Sequence, residues 1–167
     1  MRVFYHCYGS SHTSVVAAAL HTGRLDPRRT PTVRELCALP LFDRVQGRDL
    51  GTVFPAGRGP DGEEVFVVGF GPGKEVIRRA VVSFLDLKGV DPDDYMLVDA
   101  LRLAGWLVKV GGTLSRRLGL VSLGRPMAAL GMRRAYPALV ALVREVRGEV
   151  ARRKGRCGSL TAFPPRE

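Results

Sequence analysis

Cys7, His12 and Asp99 are the residues whose types and positions suit them to chemistry. A cysteine thiolate is a strong nucleophile, a histidine moves protons near neutral pH, and an aspartate serves as a general base or a Mg²⁺ ligand. Cys7 lies near the end of a largely apolar run, Val3 to Tyr8, which is followed by the loop residues Gly9, Ser10, Ser11 and His12. An Ala/Val-rich helix is expected to open at Thr13 or Ser14. A strand, a short polar loop and a helix N-terminus in that order make an anion site, because backbone N–H groups and the helix dipole meet there. Gly9 allows the tight turn, and the hydroxyls of Ser10, Ser11, Thr13 and Ser14 can cap the helix or hold ligand oxygens.

A second glycine-rich corner, Gly69-Phe70-Gly71-Pro72-Gly73-Lys74, precedes another helical pattern. Lys74 falls in that helix's first turn, where the dipole disfavours a cation, so it either points to solvent or meets an anion. Gly71, Gly73, Lys74 and Arg116 are therefore candidates for the far side of the same site, with Asp99 beside them. Asp99 can equally act as the N-cap of the segment behind it. Neither GxxxxGK[ST] nor GxGxxG occurs, which weakens the common NTPase and dinucleotide readings. His6 and Cys7 alternate across a strand and cannot both reach one metal, so no metal site is expected. No motif identifies a cofactor.

Elements that alternate in period must hold these residues. The helix Thr13 to His21 is apolar nearly all round, as a helix against a sheet would be, and His21 is placed to cap its C-terminus before Gly23. Thr32 can cap a short helix ending before Pro40. Thr52 to Phe54 and Val65 to Phe70 flank the turn Arg58-Gly59-Pro60-Asp61-Gly62, predicting a hairpin. A strand over Tyr95 to Val98 comes next, then a long helix through Leu103, Leu107, Val110, Leu114 and Leu118, and a strand near Met127 to Leu130. Gly111-Gly112, inside the long helix, marks a kink, a break or a close approach to another backbone. The expected fold is α/β: a three-layer Rossmann-like sandwich with a mainly parallel five-stranded sheet and one antiparallel hairpin. Ligands in such sheets bind beyond the carboxyl ends of the strands, which would gather Gly9 to Ser14, Gly71 to Lys74, Asp99 and Gly131 to Arg134 on one rim.

At 167 residues one domain over residues 1–151 with a basic, flexible tail over 152–167 is expected. The richest apolar segment, Met96 to Val110, carries charges and is too short to span a bilayer, and no basic n-region precedes the first strand, so a cytoplasmic protein without membrane insertion is expected. Cys7, Cys37 and Cys157 form neither a disulfide framework nor a CxxC pair. The net charge of +10 has two readings: arginine bias of the source genome, since only four of the 26 basic residues are lysine, or a functional surface for nucleic acid or an anionic membrane.

The loop CYGSSHTS resembles the phosphocysteine loop of the B domains of sugar phosphotransferase systems and, more distantly, the CxxxxxR loop of low-molecular-weight phosphatases. That resemblance implies Cys7 as nucleophile, with Gly9 to Ser14 around the phosphoryl oxygens; Thr13 stands where phosphatases carry arginine. Over most of the chain, YHCYGSSHTSVVAAALHTG, PTVRELCALPLFD, VGFGPGK and GGTLSRRLGL resemble an uncharacterised bacterial domain family (DUF3189-like) of spore-forming lineages, which implies a standalone domain and supplies no activity. Three functions are compatible with these features. The first is binding of a phosphorylated small molecule or nucleotide in the first loop, with phosphoryl-transfer or hydrolase chemistry at Cys7. The second is a nucleic-acid-binding module using the arginine-rich C-terminal helix and tail. The third, through the family resemblance alone, is a non-catalytic interaction protein tied to sporulation.

Overall fold

The computed structural model describes residues 1–45, 47–117 and 120–160, without the side chains of Lys109, Arg116, Arg117 and residues 157–160. Arg116 as a ligand clamp and Cys157 therefore lie outside the described side chains. Among the described residues four strands form one mixed sheet: β1 (Arg2–Cys7), β2 (Val53–Arg58), β3 (Glu64–Gly69) and β4 (Tyr95–Asp99), in the order β2-β3-β1-β4. β1 runs parallel to both β3 and β4, and β2 closes the expected hairpin antiparallel to β3.

Among the described residues five α-helices accompany the sheet: α1 (Thr13–His21), α2 (Val33–Ala38), α3 (Lys74–Leu87), α4 (Trp106–Arg117) and α5 (Val121–Leu160). Every residue of α1 is buried, which accounts for its lack of a polar face. α2 begins in a capping box: the Thr32 hydroxyl accepts from the Glu35 amide while Glu35 accepts from the Thr32 amide. The core fills the space between one face of the sheet (Val3, Tyr5, Val65, Val67, Val98) and α1, with Ala128, Met132, Leu139 and Val143 of α5 behind it. None of the residues of α3 is fully buried.

The fifth strand expected at Met127 to Leu130 is helical, and Gly131 to Arg134 lies within α5 and not at a sheet corner. Met, Ala and Leu are strong helix formers and this run has no β-branched residue, so propensity favours the helix. Pro126 and Pro137 lie inside α5 on its exposed side, where the carbonyls they leave free can meet water. The helix expected from Leu103 begins at Trp106; Leu103 belongs to a 3-10 turn. α5 runs through Leu160, so the first residues of the expected tail continue the helix.

Gly111 is the close approach. A Cβ there would lie 2.5 Å from the Ala128 amide nitrogen and 2.8 Å from the Gly124 carbonyl oxygen, while one on Gly131 would lie 2.8 Å from the Val108 amide nitrogen. α4 and α5 thus meet backbone to backbone through glycines.

Candidate functional site

The chain leaves β1 to pair β3 on one side and later crosses to β4 on the other, so the order reverses at β1. The crevice beyond such a strand is where open α/β sheets bind ligands. Three parallel strands end together there, with Cys7 in register with Gly69 and His6 with Asp99. The Phe70 and Gly71 amides donate to the Cys7 and Tyr8 carbonyls at 2.9 and 2.8 Å, and the Ala100 amide donates to the His6 carbonyl at 2.9 Å. Gly9 to Ser14, Gly71 to Lys74 and Asp99 therefore share one edge. Gly69 lets the two loops approach closely: a Cβ there would stand 3.1 Å from both Gly9 Cα and Ser10 Oγ.

The Cys7 thiol is buried and lies 3.0 Å from the Ser14 hydroxyl, in the first turn of α1. Among the described residues no side chain caps α1, and its first amides, like those of any helix, have no intrahelical acceptor. The loop hydroxyls divide. Ser11 Oγ donates to the Gly9 carbonyl at 2.8 Å, Ser14 Oγ meets Cys7, and Ser10 Oγ, wholly buried in a residue with φ 51°, has no partner. Thr13 is buried as well.

His12 takes no part in capping. Its Nε2–H donates to Asp43 Oδ1 at 3.1 Å, and its ring packs edge-on against Phe42. Asp43 also accepts from the Ser115 hydroxyl, lies 3.7 Å from Arg125 Nε, and donates its amide to the Ser11 carbonyl at 3.0 Å. Burial pushes the Asp43 carboxyl up, but the His12 and Ser115 hydrogen bonds, with the charges of His12 and Arg125, hold it below the ordinary range. Gly112 leaves room for the imidazole, since a Cβ there would lie 2.9 Å from His12 Cε1.

On the opposite sheet face, Lys74 Nζ donates to Asp99 Oδ2 at 2.9 Å, so the first-turn lysine does meet an anion, one supplied by the chain. Asp99 Oδ1 accepts from the Leu101 amide at 2.8 Å, so the carboxylate also fastens the turn after β4. Burial raises the Asp99 carboxyl, and the Lys74 and Leu101 hydrogen bonds more than reverse this. His6 stacks on Phe70 with Nδ1 unpartnered, 4.0 Å from Asp99 Oδ1, and burial pulls its imidazole below the ordinary value despite Asp99.

His21 is not a helix cap. Its Nδ1 accepts from the Tyr5 hydroxyl at 2.7 Å and its Nε2–H donates to Glu63 at 2.6 Å, in a network closed to solvent. Burial lowers the imidazole's pKa more than Glu63 raises it. Arg147 instead donates to the α1 carbonyls of Leu20 and His21. The basic residues near the C-terminus are also engaged: Arg152 and Arg153 with Glu149, Arg156 with Asp93, and Lys154 with the Asp61 carbonyl. Sequence reasoning missed Asp43, Ser115, Arg125 and Glu63, because no local pattern surrounds any of them.

Fold and edge together define an α/β protein with a mixed four-stranded sheet and polar loops converging at the switch in strand order. The chain belongs to the family described as "Protein of unknown function (DUF3189)", whose profile matches residues 2–148. No curated protein and no solved structure matches it.

Proposed function

We propose that the protein binds a phosphorylated small molecule or nucleotide at the carboxyl edge of β1, with Cys7 as a nucleophile toward the phosphoryl group. The observation that carries this reading is the 3.0 Å approach of the Cys7 thiol to the Ser14 hydroxyl beneath the uncapped N-terminus of α1. Thiol and hydroxyl share one hydrogen bond in which either group can donate, and the sulfur is a nucleophile held beside the positive end of the α1 dipole. The first-turn amides supply donors for an anion, while Lys74 and Asp99 border the opposite side of the edge. The alternative, nucleic acid on the C-terminal arginines, has less support, since Arg152, Arg153 and Arg156 are paired with carboxylates of the chain itself.

The test is the rate of Cys7 alkylation against pH, read by peptide mass spectrometry with Cys37 as internal reference, with and without inorganic phosphate. Expected is a Cys7 that is alkylated in the folded protein, is shielded by phosphate, and loses that reactivity in Ser14→Ala. A Cys7 inert at every pH in the folded protein would dismiss the nucleophile.

A further inference from the structure

The charge of the chain is segregated. Between Asp99 and Glu145 there is no acidic residue, yet eight cations fall in that stretch, from Arg102 to Arg144. A genome-wide arginine bias adds cations everywhere and does not strip acids from one segment, so this acid-free run calls for a local cause.

The stretch contains α4 and the first half of α5, the pair joined through Gly111, Gly124 and Gly131. Their outward side is apolar: Trp106 is 67% exposed, Leu123 62% and Leu130 47%, with Val110 also exposed. Trp106 and Val110 lie one turn apart on α4, and Leu123 and Leu130 lie a heptad apart on α5, so each pair shares a helix face. Trp106, Leu130, Arg133 and Arg134 line one open groove of about 550 Å³. Arg133 and Arg134 are exposed and, among the described residues, have no ion-pair partner. Arg125 is different, being turned inward to Asp43.

We infer that this helical pair is a peripheral docking surface for anionic phospholipid bilayers. Cations without interspersed acids complement a negative leaflet, and a tryptophan with aliphatic side chains between them suits the headgroup boundary. Single-stranded nucleic acid is the less fitting occupant, because it is held by stacked aromatics and here the exposed large apolar side chains besides Trp106 are aliphatic. No described helix is long and apolar enough to cross a membrane, so the pair would lie on the bilayer and not span it. This surface uses none of the residues around Cys7, and the two readings fail separately.

Trp106 is the sole tryptophan, so its fluorescence reports docking directly. The full-length protein is titrated with phosphatidylcholine vesicles with and without phosphatidylglycerol, and bound protein is measured by flotation. Expected are a blue shift of Trp106 emission and co-flotation with the anionic vesicles alone, both reversed by salt. Arg133→Ala/Arg134→Ala should weaken partitioning by roughly thirtyfold, the effect of two cations beside an anionic leaflet. Leu123→Gln/Leu130→Gln should weaken it while leaving the melting temperature unchanged, since both side chains are exposed. Absence of flotation, equal binding to both vesicle types, or a Trp106 response to a single-stranded oligonucleotide without one to vesicles would overturn the inference. So would a dimer abolished by Leu130→Gln in a protein that ignores vesicles.

Discussion

The imidazole of His12 and the carboxylate of Asp43, far apart in the chain, meet at 3.1 Å. Asp43 has φ 55°, a conformation costly for a residue with a side chain, and its carboxylate is shut off from solvent. Its hold on His12, Ser115 and Arg125 joins the first loop to α4 and α5. Replacing Asp43 by alanine leaves the Arg125 charge without its carboxylate and should cost about 3–5 kcal/mol in urea unfolding, the usual range for breaking a buried ion pair. Asp43→Asn keeps the shape and should cost less. Equal stability of both variants with the parent would contradict the tie.

The glycines between α4 and α5 make opposite predictions within one helix. In Gly124→Ala the new methyl would collide with the Ser115 amide and the Gly111 carbonyl, backbone that cannot give way cheaply. A loss of about 1–3 kcal/mol is expected, as in overpacked cores. Gly148 has open space around its Cβ position, so Gly148→Ala should stabilise by up to about 1 kcal/mol through helix propensity. Urea midpoints moving in the same direction for both would count against the close approach.

Two buried histidines set an acid-side stability window. Burial lowers the pKa of both His6 and His21, so the folded protein keeps them neutral while the unfolded chain takes up protons as pH falls through about 6.5. Stability is full above that value and declines below it, by up to about 1.4 kcal/mol per pH unit for each histidine until the folded-state pKa is reached. Asp43 and Asp99 are depressed, so their contributions persist above the unfolded carboxyl value and are lost as pH falls through the folded one. Urea unfolding from pH 7.5 to 5 should show the histidine slope, and His6→Gln should reduce it. A flat profile would remove the neutral-histidine assignment.

Lys74 and Asp99 are both partly exposed, at 33% and 30%, and solvent screens such pairs heavily. Lys74→Met should therefore shift the melting temperature little. If the edge binds phosphate, the same variant should weaken phosphate protection of Cys7 several-fold, because a cation near the anion is gone. A large stability loss with unchanged protection would make the pair structural.

Local pattern determined much of this protein. The all-apolar run of α1, the Thr32 cap of α2, the turn residues of the hairpin and the glycine corners each act within a few residues, so their outcome is written in the neighbouring chain. The strand, small-residue loop and helix around Cys7 were legible for the same reason, since they succeed one another in sequence. The strand expected at Met127 to Leu130 failed because the length of a short apolar run cannot tell strand from helix, whereas the helix propensity of Met, Ala and Leu and the surrounding helix do. Partners were beyond its reach. Asp43 finds His12, Ser115 and Arg125, and Glu63 finds His21, only once distant segments pack and water is excluded. His21 is the clearest case. Its place near a helix end suggested a cap, but the buried acceptor that claims it comes from the far end of a hairpin, and only the tertiary structure brings the two together.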